Sequence, residues 1–151
     1  MDTEQAPSAL PIHPVALVYL EETEPAYQIE MVDTVLVEGG YQVTTIPFFA
    51  KHLALNDIIS VENDEGVHYF EGILVKSGHS VIRVIFTSEQ LLDDAIAALK
   101  KLGATAFRYK DSILVAFDVS ATVDYLPIQR YLTEGQAENK WEYEEACLGW
   151  K

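Results

Sequence analysis

The residues able to do chemistry are few and scattered in this sequence of 151 residues. It has four histidines, at positions 13, 52, 68 and 79, and one cysteine, Cys147. No pair of histidines has the short spacing that is typical of metal ligands, and the cysteine has no partner motif. The sequence therefore predicts no metal site. We interpret Cys147 as a small packed residue, and the lack of a disulfide partner favours a reducing compartment.

Familiar catalytic patterns are also missing from the sequence. It contains no G-x-S-x-G, no H-E-x-x-H, no P-loop and no dinucleotide fingerprint. Gly39 and Gly40 are typical of a hairpin tip, because no helix start follows them that could bind a phosphate. The carboxylate pairs Asp93–Asp94 and Glu144–Glu145 do not lie in apolar runs that would raise a pKa for acid–base work. We expect neither an enzyme nor a cofactor.

The charge of the chain is a stronger signal. The net charge is −14, and it is unevenly distributed. Residues 1–79 carry thirteen acidic and two basic side chains, whereas residues 80–151 carry eleven acidic and eight basic ones. Such a chain is repelled by nucleic acid and by anionic membranes, and it attracts a basic partner. Solubility is an alternative reason for the acidity.

The acidic side chains of the first half fall in two predicted loops and on the strand after the second loop. Clusters of one sign speed association with a partner of the opposite sign. Two aromatic residues could add contact area, one in the Phe48-Phe49 pair and one beyond the last strand. The predicted partner-binding residues are Glu21, Glu22, Glu24, Glu62, Asp64, Glu65, Glu71, Phe49 and Trp150.

Short strands must position most of these residues. Residues 1–14 contain three prolines and no periodicity, so we predict a flexible arm. Residues 15–79 then alternate between strand and turn patterns and predict an antiparallel strand meander or a small barrel. In its hairpin, a three-residue loop at 38–40 would place Val37 opposite Tyr41. We prefer this to a Gly-Gly loop that places Val37 opposite Gln42.

Residues 80–151 follow the order β-α-β-β-α-β of a ferredoxin-like unit. The segments VIRVIF (81–86) and ILVAF (113–117) are apolar on both faces, as central strands should be. TAFRYK (105–110) and WEYEEACL (141–148) carry charge, which suits edge strands. The fold class is therefore α+β, with the two halves packed as one compact unit.

Two helices complete this unit. An apolar stripe at helical spacing predicts the first helix, which would begin at a Thr87–Gln90 capping box and end at Gly103. The second helix is predicted over about 122–134, with Pro127 in its first turn.

The Phe48-Phe49 pair lies in the first half of the sequence. One of its rings should enter the core of the meander. The other should lie at the junction between the halves or contact a partner.

Four stretches resemble a known family: IPFFAKHLALNDIISVE, FEGILVKSGHSVIRVIF, LKKLGA and WEYEEACL. They are similar to a bacterial family of small cytosolic domains that has no settled function. The resemblance spans about residues 27–148 and implies a bacterial protein of a single module, without catalytic residues to carry over. Asn56 stands where the family often has glycine, and it tolerates the same positive φ. The acidic, proline-rich N-terminus also lacks the features of a signal peptide, so we expect a cytoplasmic location.

These observations favour an acidic binding protein. The leading hypothesis is an immunity protein that neutralises a bacterial toxin by occluding its active site, with a basic toxin domain as the partner. The alternative is a small-molecule sensor or regulatory domain that binds its ligand in the cleft between the two halves. Neither hypothesis involves nucleic acid, a membrane or a cofactor.

Overall fold

The computed structural model describes residues 10–20 and 26–150. It is an α+β structure, with mostly antiparallel strands in two sheets and with two helices, so the predicted class is confirmed. Most of the predicted arm, residues 1–9, and the predicted binding residues Glu21, Glu22 and Glu24 lie outside the described residues. No helix in the described ranges is both long enough and apolar enough to cross a membrane.

The first half is a closed five-stranded barrel, the second of the two arrangements that the sequence predicts for it. The first strand, β1, closes it by pairing antiparallel with β2 and parallel with β5. Alternate side chains point inward and form a small apolar core, in which Val15, Val32 and Ile59 are fully buried. The strands are β1 (Ile12–Leu20), β2 (Tyr27–Val37), β3 (Gly40–Val43), β4 (Ile58–Asp64) and β5 (Val67–Val75).

The arm prediction extends too far, because β1 already begins at Ile12. The Thr34 hydroxyl donates a 2.7 Å hydrogen bond to the backbone oxygen of His13 and holds this end of β1 on β2. Pro14 is the third residue of the strand, opposite Asp33. A proline near a strand end removes one ladder donor without breaking the strand.

The predicted register of the hairpin is wrong by one residue. Val37 pairs with Gly40, so the loop is the two residues Glu38 and Gly39. Gly39 has φ +91° and supplies the positive φ that the turn needs. Gly40 is a strand residue, and a Cβ atom there would lie 2.7 Å from the backbone oxygen of Ile59. The second glycine therefore allows β4 to approach, a role that the turn pattern does not reveal.

The second half is a four-stranded sheet in the order β7-β8-β6-β9. The segments predicted to be central, β6 and β8, pair with each other in the middle, and β7 and β9 are the edges. The helices cover one face, and Ile82, Phe117 and Leu99 are fully buried between sheet and helices. The elements are β6 (Ser80–Phe86), α1 (Leu92–Lys101), β7 (Thr105–Arg108), β8 (Leu114–Val119), α2 (Leu126–Ala137) and β9 (Trp141–Cys147).

The predicted capping box does not form. Ser88 accepts a hydrogen bond from the backbone N–H of Gln90 and caps a short 3-10 turn before α1. Thr87 instead donates from its hydroxyl to the backbone oxygen of Lys140, because it lies next to the start of β9. Gly103, at φ +107°, follows the end of α1 as predicted. The second helix begins at Leu126, later than predicted, with Pro127 in its first turn.

A third apolar cluster joins the barrel to the uncovered face of the sheet. It contains Ile46 and Ala54 from the chain between β3 and β4, and Val81, Ala116 and Ala146 from the three strands β6, β8 and β9. Small side chains let the two halves approach closely at this place. Beside the cluster the halves diverge, and cavities open between them.

Candidate functional site

The segment at residues 48–50 is fixed from both halves of the molecule. The Glu30 carboxylate on β2 accepts hydrogen bonds from three successive backbone N–H groups, those of Phe48 (2.6 Å), Phe49 (3.1 Å) and Ala50 (2.9 Å). On the other side, Arg83 on β6 donates from Nη1 to the backbone oxygen of Ala50 at 3.0 Å. The segment is therefore a rigid connection between barrel and sheet.

Both phenylalanines lie at the junction of the two halves. Their rings contact Tyr109, which follows β7, with centroid separations of 5.1 Å for Phe48 and 5.0 Å for Phe49. Phe49 also stacks against Tyr19 of β1. Neither ring belongs to the barrel core, whereas Phe48 packs against the junction cluster. The expectation that one ring enters the core of the first half is therefore wrong, because Glu30 holds the backbone of both residues at the barrel rim.

A groove of about 460 Å³ runs between barrel and sheet beside Phe49. We call it the junction groove. Its barrel side includes Tyr19, Phe49 and Lys51, and its sheet side includes Arg83, Ile85, Leu114, Glu142 and Glu144. Ile85 is unusual, because it lies on a central strand with neighbours on both sides and is still 53% exposed. The volume suits a small molecule.

Arg83 is the electrostatic centre of the junction groove. Its side chain is only 4% exposed, and its Nε donates to Glu144 Oε1 at 3.1 Å. Lys51 Nζ lies 3.1 Å from the other oxygen of the same carboxylate. Burial alone would raise the pKa of Glu144, but the bonds to Lys51 and Arg83 outweigh this and hold its pKa below the ordinary value. Glu144 therefore stays charged and holds the two cations in place.

A second cavity, of about 240 Å³, lies on another side of the junction. His52, His79 and Cys147 are among its lining residues. His79 Nδ1 forms a 2.8 Å hydrogen bond with the Asp118 carboxylate. The pKa of the Cys147 thiol is raised, first by burial and then by the nearby Asp57. A protonated thiol is a poor nucleophile. Within the described residues, no group of three or more histidine, cysteine or acidic side chains could hold a metal ion.

The outer wall of the barrel carries an exposed apolar surface that the sequence analysis missed. On β1 and β2, Val18 faces Ile29 and Leu20 faces Tyr27, and Met31 is opposite Ala16. The five large side chains are between 52% and 74% exposed. We call them the apolar strip: Val18, Leu20, Tyr27, Ile29 and Met31. The sequence contains a partial signal on β1, where both faces are apolar. On β2, Tyr27, Ile29 and Met31 alternate with Gln28 and Glu30, and this alternation predicts the apolar set on the inside, opposite to its place in the structure.

Acidic residues lie on the outer face of the barrel, but only Glu71 lies beside the apolar strip. Tyr69 pairs with Ala16 in the parallel β1–β5 ladder, so Glu71 lies beside Val18. Glu62 pairs with Tyr69 and belongs to β4, which is two strands away from both β1 and β2 and so lies on the far side of the closed barrel. Because side chains alternate along a strand, Glu71 shares the outer face with Tyr69, and Asp64 shares it with Glu62. All three acidic side chains are exposed. The five barrel strands contain no lysine or arginine, so the outer face of the barrel combines an apolar strip with acidic charge that no cation of these strands offsets.

The predicted binding residues are thus brought together only in part. Glu71 lies beside the apolar strip, whereas Glu62 and Asp64 lie on β4 on the far side of the barrel, and Glu65 lies in the turn after β4 with φ +53°. Phe49 lies in the junction groove. Trp150 is 58% exposed, and its ring lies 5.3 Å from that of Tyr125 beside the sheet. The structure therefore contains two separate candidate surfaces, the barrel wall and the junction groove, and Trp150 belongs to neither.

The protein is a small α+β domain. A closed barrel packs on a helix-covered sheet, and two candidate surfaces remain open, one at the junction and one on the barrel. The chain belongs to the family described as a domain of unknown function, DUF4265, whose model matches residues 30–143. This agrees with the resemblance that the sequence suggests. No curated protein matches the chain.

The fold also has a counterpart among solved structures. The chain is similar to a structure described as the novel crystal structure of a hypothetical protein from Neisseria gonorrhoeae, with a TM-score of 0.83. The match covers 92% of this chain and 96% of the other, at 21% sequence identity. At this identity the likeness concerns the fold alone.

Proposed function

We propose that this protein is an acidic binding protein that holds a basic protein partner on the outer wall of its barrel. The observation that carries the proposal is the apolar strip with Glu71 beside it, on a barrel whose five strands carry acidic side chains and no lysine or arginine. Contiguous exposed apolar surface is typical of binding sites. An interface of this kind has an apolar centre that supplies affinity and a charged rim that selects the partner.

Self-association fits this wall less well than a basic partner does. Two copies meeting through the strip would bring two acidic barrels together, with Glu71 of each copy beside the contact and no cation on these strands to pair with it. Juxtaposed like charges oppose association. A partner with an apolar centre and a rim of lysine and arginine satisfies both features at once.

The most specific form of the proposal is a bacterial, cytoplasmic immunity protein. It would bind a toxin and cover its active site, which requires a rigid surface rather than catalytic groups. The closed barrel offers such a surface, because it has no free strand edge. The strongly acidic character would steer the encounter with a basic toxin domain.

The experiment compares capture by three forms of the protein. The wild type is immobilised, and partners are taken from cells that express the neighbouring genes. We expect the double variant Ile29→Ser, Met31→Ser to lose the partner, while Leu126→Ser, an exposed apolar residue of α2, retains it. The captured protein should also lose its own toxic activity when titrated with wild type. Equal capture by all three forms would rule out the barrel wall as the interface.

A second candidate function is a sensor or regulatory domain that binds a small molecule in the junction groove. It is favoured by the size of the groove and by the exposed Ile85 on its floor. We also assign the second half to the ferredoxin-like class, on the order β-α-β-β-α-β combined with the sheet order β7-β8-β6-β9. A saturable change in melting temperature with a metabolite panel would support this function, and its abolition by Ile85→Glu would place the ligand in the groove.

A further inference from the structure

The two ends of the junction groove have opposite chemical character, and this suggests a ligand class. At one end lies the buried Arg83. Its Nε donates to Glu144 and its Nη1 to the backbone oxygen of Ala50. These bonds use only part of the five-donor guanidinium, and Nη2 has no acceptor among the described residues. Buried donors are nearly always bonded in folded proteins. The end of the groove at Arg83 is therefore suited to an anion that accepts from a guanidinium.

The other end of the groove is acidic. Glu142 pairs with Ile85 across the β6–β9 ladder, two residues before Glu144. Two residues along a strand correspond to roughly 7 Å. Glu142 is exposed, and no cation of the described part of the chain forms an ion pair with it. Its carboxylate is placed to accept hydrogen bonds from a cationic group of a ligand whose anionic group is held at Arg83.

Beside Glu142 the groove is apolar. Ile85 and Leu114 continue the cross-strand row of Glu142 and form the sheet side, and Tyr19 and Phe49 form the barrel side. We propose that the junction groove binds a free α-amino acid with an apolar or aromatic side chain. Its carboxylate accepts from Arg83, its ammonium group donates to Glu142, and its side chain packs on Ile85 and Phe49. This inference rests on the second candidate function and is independent of the barrel-wall interface.

Both charges of the ligand can be tested with blocked analogues, so that the structural residue Arg83 need not be changed. We would titrate the full-length protein with L-phenylalanine, N-acetyl-L-phenylalanine and L-phenylalaninamide by calorimetry. Each analogue lacks one of the two charges, and each lost charge-assisted bond should weaken binding about tenfold or more. Glu142→Gln should weaken the binding of L-phenylalanine to a similar degree and leave the binding of N-acetyl-L-phenylalanine unchanged. Glu134→Gln, on the exposed face of α2, is the matched control and should behave as wild type.

Several results would overturn the inference, and they differ in what else they affect. Equal binding of all three compounds would mean that the charges do not recognise the ligand, although the groove would keep a binding function. Tighter binding of the N-acetyl compound would point to an acylated amino acid or a peptide C-terminus. If neither L-phenylalanine nor either analogue gives a heat of binding, an amino acid is ruled out as the ligand, and the case for a ligand-binding function of the groove is weakened as well. None of these results would affect partner capture through the barrel wall, which is measured separately.

Discussion

Arg83 donates a 3.0 Å hydrogen bond to the backbone oxygen of Ala50, and this bond connects the central strand of the sheet to the rim of the barrel. A guanidinium with so little exposure is costly to bury unless its donors are bonded. The bond also helps to set the width of the junction groove, because Phe49 immediately precedes Ala50. The same contact therefore serves the stability of the fold and the geometry of the groove.

The first prediction concerns this contact. Replacing Arg83 with Met should lower the free energy of unfolding by about 1.5–3 kcal/mol, because the Ala50 oxygen and Glu144 both lose a charged donor. The loss should stay below that of a fully buried pair, since Glu144 is 45% exposed. Urea melts would measure it. The exposed Arg130→Met is the control and should change stability by less than about 0.5 kcal/mol. Equal effects would show that Arg83 does not join the two halves.

The second prediction concerns the other side of the same segment. Glu30→Gln should destabilise the protein by about 1–3 kcal/mol, because its carboxylate accepts from three backbone N–H groups and an amide has a single acceptor oxygen. The exposed turn residue Glu38, changed to Gln, is the matched control. If Glu30→Gln lowers the free energy of unfolding no more than Glu38→Gln does, the three hydrogen bonds make no net contribution to stability.

The central strands could be predicted from the sequence because their burial has a local signal. Both faces of VIRVIF and ILVAF are apolar, and both segments are found in the middle of the sheet. The role of Glu30 has no such signal. It depends on backbone groups eighteen to twenty positions further along the chain, and a glutamate in a strand normally indicates a solvated face. The register of the hairpin failed for a similar reason, since Gly40 serves its contact with Ile59 rather than the turn.

The candidate surfaces could be predicted only in part. The acidic side chains of the β4–β5 hairpin can be predicted, because charge is visible in the sequence. The apolar strip cannot, because Tyr27, Ile29 and Met31 alternate with Gln28 and Glu30. Such alternation normally indicates that the apolar side of the strand is the buried one. Whether a second layer covers such a strand is decided by the tertiary arrangement. Here both helices cover the sheet of the other half, and the outer face of the β1–β2 hairpin stays exposed.

The third prediction tests the core of the second half. Leu99→Ala should lower the free energy of unfolding by about 2–5 kcal/mol, because the Leu99 side chain is completely buried between α1 and the sheet. Asp93→Ala, on the exposed side of the same helix, should change it little. Denaturant melts of the two variants give a direct comparison. Similar losses would mean that the two faces of α1 have been assigned the wrong way round.

The fourth prediction concerns acid. The pKa of Glu144 is lower in the folded protein than its ordinary value of 4.5. A lowered pKa stabilises the fold at pH values above the ordinary one, and the contribution is lost as the pH falls through the folded value. The stability difference between wild type and Glu144→Gln should therefore be constant near neutral pH and should shrink below about pH 4.5. Lys51→Met should reduce this pH dependence, because Lys51 helps to keep the carboxylate charged. A difference that grows on acidification would reverse the assignment.

The last prediction separates the roles of charge and apolar surface on the barrel wall. Reversing Glu62, Asp64 and Glu71 to lysine should slow association with the basic partner, while the dissociation rate changes less. Ile29→Ser with Met31→Ser should instead speed dissociation, because it removes contacts that form only after docking. Surface plasmon resonance gives both rates. Added salt should narrow the difference between the charge variant and wild type, since the Debye length falls from about 10 Å at 0.1 M to about 3 Å at 1 M.

A charge-matched control decides whether the acidity acts locally. Asp93 and Asp94 are exposed on α1, away from the barrel, and reversing them should slow association less per charge. If both sets of reversals slow binding equally, only the net charge matters and the position of the acidic residues on the barrel selects nothing. If the serine variant dissociates like wild type, the strip is not in the interface. An interface on the barrel predicts both effects together: slower association when its acidic residues are reversed, and faster dissociation when the strip is made polar.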